Sequence, residues 1–239
     1  MSEDELLVAI VEYFGENIFK QHMKTVLQKH SKIKNYKVNP IVVKYLSKVL
    51  NNNYTPEGVA KALYYPRVLG TSINTTFGTG IQKMFIVLNI AEPSYIKGMD
   101  IEFTDKLDGR KKWCQLKAGP NTINSEDVGP LISKFSSTIK LARTNNAQLS
   151  NNDFVVGVLY GEVKELSRHY NVINDLHPVY IGREFWHRIT GYPNFYNKLV
   201  LALQIVISNI DTDNFFIQGL NQLTEEVRNS DLFEFTDSL

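Results

Sequence analysis

Residues 154–160, FVVGVLY, set the tightest limit on what this chain can become. The run has no polar alternation, so it cannot be a strand with one wet face. It reads as a central strand covered on both sides, the kind found in sheets flanked by helices. Helical patterns lie before and after it. Ser2 and Glu5 have capping-box spacing, in which each side chain satisfies a free backbone N–H. Leu6, Leu7, Ile10, Val11 and Phe14 then recur at helical intervals. Asn39-Pro40 and Thr55-Pro56 are two more helix starts, each with proline at the first helical position. Val43, Leu46, Val49 and Leu50 form the apolar face after the first of them. Residues 70–80, GTSINTTFGTG, read as a glycine- and threonine-rich break followed by a helix over 81–89. Helices are predicted over 127–144, 183–189, 194–209 and 212–228, and short strands over 170–173 and 179–181. Helices first, strands in the middle and helices last predict an α/β fold, a mixed central β-sheet flanked by helices with a helical N-terminal region. The expected organisation is one domain over 1–239, with a helical subdomain over 1–70 as the other reading.

Composition narrows the function classes. Hydrophobic residues make up 43% and charged residues 21%, enough for a real core. A net charge of +1 gives no bias toward nucleic acid, so a DNA-binding surface would have to come from segregated charge. The single cysteine, Cys114, rules out an internal disulfide and a zinc knuckle, and fits a reducing, cytoplasmic compartment. It sits in an apolar run and reads as a buried thiol. The acidic start, MSEDELLVAIVEYF, lacks the basic region of a signal peptide, and no apolar stretch has bilayer-spanning length, so no membrane partner is expected. The five histidines form no HExxH pattern, residues 70–80 lack the Gly-Lys-Ser/Thr ending of a P-loop, and there is no G-x-S-x-G elbow.

Residues 98–124, GMDIEFTDKLDGRKKWCQLKAGPNTIN, carry the chemistry. Asp100 lies in a short apolar run that reads as a strand. A charged turn containing Asp108-Gly109 follows, then a second run bearing Gln115 and Lys117. Alternate residues of a strand share a face, so Gln115 and Lys117 point the same way. Paired as a hairpin, the two runs converge an acid, an amide and an ammonium on one spot. That set suits a divalent cation and a phosphate, with Asp100 as hard ligand, Gln115 offering a carbonyl oxygen, and Lys117 orienting a water or stabilising developing charge. Glu102, two residues on, shares the face and is a possible second ligand.

Asp100 followed by Gln115-Leu116-Lys117 resembles the PD-(D/E)XK nuclease pattern, with Gly98-Met99 where proline often stands and glutamine in place of the second acid. QLKAGPNTIN, and YIGREFWHRITGYPNFYNKL over 180–199, resemble a group of bacterial type II restriction endonucleases that cut GGNCC-type sites. The resemblance implies a Mg²⁺ cofactor, with Asp100 as principal ligand, Gln115 at the second acid position, the main-chain carbonyl of Leu116 as a further ligand and Lys117 as catalytic lysine. Gln82 is the candidate for an upstream helix residue that borders the site. It also implies a homodimer acting on double-stranded DNA in the bacterial cytoplasm, 5′-phosphate products, and a cognate DNA methyltransferase as functional partner.

Candidate DNA contacts are Asn121, Thr122 and Asn124, in the polar loop leaving the second strand, and Arg183. Arg143, Arg168 and Arg188 are also available as guanine readers. Lys106, Arg110, Lys111 and Lys112 form a basic turn, read first as solvated. Phe185 and Trp186 read as core. Two other functions remain open on these residues. One is a repair or structure-specific nuclease on the same scaffold; the other is a non-catalytic DNA-binding protein, favoured by the missing acid at 115.

Overall fold

The computed structural model describes residues 1–146, 148–212 and 214–232. In chain order its helices and strands begin with α1 (Glu3–Tyr13), α2 (Lys20–Thr25), α3 (Pro40–Asn51), α4 (Pro56–Pro66) and α5 (Ile73–Val87). The sheet and its helices follow: β1 (Glu92–Pro93), β2 (Ile101–Thr104), β3 (Lys111–Lys117), α6 (Ser125–Thr144), β4 (Phe154–Val158), α7 (Arg168–Asn174), β5 (Val179–Ile181), α8 (Arg183–Thr190), α9 (Phe195–Asn209) and α10 (Phe215–Arg228).

The expected caps form. The Ser2 N–H donates to Glu5 Oε2 at 2.8 Å and the Glu5 N–H to Ser2 Oγ at 3.3 Å. Asn39 Oδ1 accepts from the N–H groups of Ile41 and Val42, and Thr55 Oγ1 from that of Gly58. The break expected over 70–80 is absent. A wide π-type turn, Arg67–Ser72, runs directly into α5. Thr75 and Thr76 donate their hydroxyls to the carbonyls of Thr71 and Ser72 one turn back, at 2.8 and 2.9 Å, so they need no turn to satisfy them. Burial of Ile81, Met84 and Phe85 outweighs a glycine penalty of about 1 kcal/mol per residue. The strand expected over 170–173 is instead part of α7. Tyr170 and Ile173, three apart, both turn inward, and four residues are too few to separate a period of two from one of 3.6.

The described residues divide into two compact units, one of 1–13 and 78–208, the other of 14–77 and 209 onward. The first holds the five-stranded sheet, ordered β1-β2-β3-β4-β5. β1/β2 and β2/β3 are antiparallel, whereas β3/β4 and β4/β5 are parallel. This is the mixed α/β sheet that the sequence predicts. All five residues of β4 are buried. Val156 and Val158 join a core with Phe135, Tyr170 and Ile173 from α6 and α7. On the opposite face Gly157 leaves room for the Phe185 ring; a Cβ there would overlap it. Phe85 and Phe103 meet Phe185 edge-on. Phe185, Trp186 and Cys114 are core residues, as read.

The second unit is helical. Val26, Val43, Val59, Tyr64 and Val68 pack with Leu220, Leu223 and Val227 of α10. The Tyr64 hydroxyl donates to the Phe216 carbonyl at 3.0 Å. This core therefore draws on residues more than 150 positions apart, which linear order does not reveal.

In the basic turn between β2 and β3, Lys106, Arg110 and Lys111 are exposed, as read, but Lys112 is not. Lys112 is fully buried and donates to Asp108 Oδ2 at 2.6 Å. Lys111 pairs with Glu92 and Glu102, and Arg110 with Asp153. Asp108 and the Asn152 carbonyl take the place of water around the Lys112 ammonium.

Candidate active site

The β2/β3 register pairs Ile101 with Cys114, which sets Asp100, just before β2, opposite Gln115. The Asp100 N–H donates to the Cys114 carbonyl at 2.9 Å, so the residue is held as firmly as a strand residue. Its side chain lies on the Gln115 face. Gln115 Nε2 donates to Asp100 Oδ2 at 2.6 Å, and the Leu116 N–H donates to the same oxygen at 2.7 Å. Lys117 lies two residues beyond Gln115 and so shares that face. Asp100, Gln115 and Lys117 are each half-buried.

Burial pushes the Asp100 carboxyl above the usual aspartate range. The Leu116 N–H and the charges of Lys117 and Lys134 oppose that shift without cancelling it. Both of its hydrogen bonds among the described residues fall on Oδ2, which leaves Oδ1 as a hard oxygen donor.

Leu116 aims its N–H toward the β2 side. Within a strand the carbonyl of a residue points to the same neighbour as its N–H, so the Leu116 carbonyl faces the Asp100 side as well. Neighbouring Lys117 faces the other way, its carbonyl accepting from Leu159 N–H at 3.0 Å. Gln82 of α5 reaches the same place from outside the sheet, and its Nε2 donates to the Asp100 carbonyl at 3.1 Å.

Glu102 shares the face but is committed elsewhere. Its Oε1 accepts from Ser94 Oγ at 2.8 Å and from the Tyr95 N–H at 3.0 Å, and its Oε2 lies 2.7 Å from Lys111. Among the described residues no group of three or more His, Cys, Asp or Glu could hold a metal. One carboxylate, one main-chain carbonyl and one amide remain. That set suits Mg²⁺, which keeps several waters and takes one or two carboxylates plus substrate phosphate.

The loop after β3 is partly used up in structure. Thr122 Oγ1 donates to the Gly119 carbonyl at 2.9 Å and lies 3.1 Å from the Tyr170 hydroxyl. Asn124 caps α6 by accepting from the Asp127 N–H at 3.1 Å. Asn121 is exposed. Arg188 is engaged by Asp105 and Glu184 and lies over the Tyr180 ring. Arg143, Arg168 and Arg183 are exposed. Lys134 of α6 went unnoticed in the sequence: its Nζ donates to the Gly98 carbonyl at 3.3 Å, two residues from Asp100. The one available signal was Gly98 itself, whose φ of +84° a side chain would strain.

A mixed sheet that sets an acid before one strand against an amide and a lysine on the next has the frame of a restriction-endonuclease-like α/β fold. Residues 9–210 match the family described as type II restriction endonuclease EcoO109I, and the chain belongs to that family. It is accordingly a nuclease of a restriction system, a hydrolase that binds and cleaves DNA. No curated protein matches the chain. Among the described residues no helix is long and apolar enough to cross a membrane.

Proposed function

We propose that this chain is a Mg²⁺-dependent type II enzyme of the PD-(D/E)XK superfamily. It acts as a homodimer on a short palindrome of the GGNCC kind and leaves 5′-phosphates. Two identical subunits match a two-fold site most simply. The observation that carries the reading is the Asp100 carboxylate, oriented by Gln115 and the Leu116 N–H on the face that also bears Lys117. Asp100 Oδ1 and the Leu116 carbonyl would hold the ion, with the Gln115 side chain at the second acid position. When bound, Mg²⁺ would supply Lewis-acid neutralisation of the phosphate undergoing attack.

The chain's own groups do the rest. Gln115 fixes the Asp100 rotamer. Lys117 orients the attacking water and stabilises charge developing on the phosphate. Gln82 holds the Asp100 backbone in place. Glu102 is left out of the ligand set because its oxygens are occupied by Ser94, Tyr95 and Lys111. A methyltransferase of the same specificity would protect host DNA in the bacterial cytoplasm.

Digestion of unmethylated phage DNA with Mg²⁺, followed by sequencing of the ends, tests this. The expected result is one family of 5′-phosphorylated ends centred on a single palindrome. Cutting confined to branched or damaged DNA would put a repair nuclease in its place. Specific binding without cleavage, in Mg²⁺ or Mn²⁺, would favour the non-catalytic reading that the neutral Gln115 suggests.

A further inference from the structure

The charge around Asp100 is unbalanced in a way the roles above do not use. Beside the one carboxylate of Asp100 stand Lys117, on the same face of β3, and Lys134, held at Gly98 two residues before it, while Gln115 is neutral. Lys134 comes from α6, a different element from the strands that build the rest of the site. Its Nζ donates to the Gly98 carbonyl at 3.3 Å, and among the described residues it forms no ion pair with a carboxylate.

Its placement is built in. Gly98 has a φ of +84°, and a Cβ at that position would overlap the Lys134 Nζ. Any other residue would strain the backbone and push the ammonium away from the Asp100 end of β2. An acid at position 115 would offset this second cation; a glutamine leaves it over. The anion that a DNA-cleaving site brings to this spot is a phosphodiester.

We propose that Lys134 is a phosphate-binding residue of the active site, its ammonium admitted over Gly98 to contact a DNA phosphate oxygen at the point of cleavage. The assignment rests on the site proposed above. It adds a role from outside the Asp100–Lys117 hairpin, that of a cation taking up phosphate charge beside the ion that a single carboxylate must hold.

The competing account is a tether, in which Lys134 merely pins the segment before β2. Lys134→Met and Lys134→Arg separate the two. Binding to a duplex carrying the site, in EDTA, is measured across a salt series. Lys134→Met is expected to flatten the slope of log K against log salt by about 0.9 per subunit, the loss of one phosphate contact. With Mg²⁺ its single-turnover cleavage should fall roughly 10- to 100-fold, the scale of one lost charge-stabilising donor. Lys134→Arg should restore the slope and most of the rate, with unchanged melting temperatures in both. A wild-type slope and rate in Lys134→Met would overturn the proposal. So would a loss that follows melting temperature and is not rescued by arginine. Wild-type protein that binds but never cuts would count against the catalytic reading alone, because the salt slope still reports on Lys134.

Discussion

Replacing Asp100 with asparagine is expected to lower Mg²⁺-dependent cleavage by roughly 10³-fold or more while leaving the protein as stable as before, or more so. The two halves of that result have one cause. Oδ2 accepts from Gln115 and from the Leu116 N–H, and an asparagine oxygen can accept both, so the local hydrogen bonds survive. What disappears is a carboxylate that burial holds above its ordinary pKa despite two neighbouring lysines. A group in that state costs the fold something when ionised, and its removal relieves the cost. Stability is given up there for the hard oxygen an ion needs. Single-turnover cleavage and thermal unfolding on the same preparation check both halves, and a variant that is inactive because it is unfolded would not bear out the assignment.

Asp153→Ala is expected to destabilise the sheet unit by about 3–5 kcal/mol. Asp153 is almost fully buried and takes both Nε and Nη2 of Arg110, at 2.7 and 2.6 Å. It also accepts from the Ser150 N–H and hydroxyl, and lies 4.0 Å from the fully buried Lys112 ammonium. Truncation leaves Lys112 with Asp108 and the Asn152 carbonyl alone, and Arg110 with no acid in place of its bidentate one. Burial raises the Asp153 carboxyl, but Arg110 and Ser150 outweigh it and hold the pKa below the usual range. A lowered folded pKa means the stabilisation is complete above the unfolded value of about 3.9 and fades as pH falls through the folded one. Urea unfolding at pH 7 should therefore show the whole deficit. Because Lys112 and Arg110 anchor the start of β3, cleavage should fall as well, through the placing of Gln115 and Lys117.

Much of the candidate site's geometry was legible because its parts are local. Asp100, Gln115 and Lys117 lie on two neighbouring runs, and a period of two is enough to put them on one face, with the Leu116 main chain between. Gln82 also stands beside Asp100, though through its backbone. What escaped was what needs the third dimension. Glu102 has the right face, yet the segment at 94–95 and Lys111 claim its oxygens. Lys112 looked like a solvated tip until Asp108 and the 152–153 segment closed over it. Lys134 is one lysine among many on a helix, and only its meeting with Gly98 sets it apart. In the fold, strong periodic segments read true. The errors fell on 70–80, where threonine hydroxyls bond within a helix, and on 170–173, too short to reveal its period.

The account rests on an ion held between the start of β2 and the end of β3, and that can be mapped directly. Fe²⁺ substituted for Mg²⁺ generates hydroxyl radicals with ascorbate and peroxide and cuts the polypeptide beside the metal. With DNA bound, the account predicts cuts clustered at residues 98–101 and 114–118, suppressed by excess Mg²⁺ and lost in Asp100→Asn. Cuts centred elsewhere, or a pattern indifferent to residue 100, would contradict it.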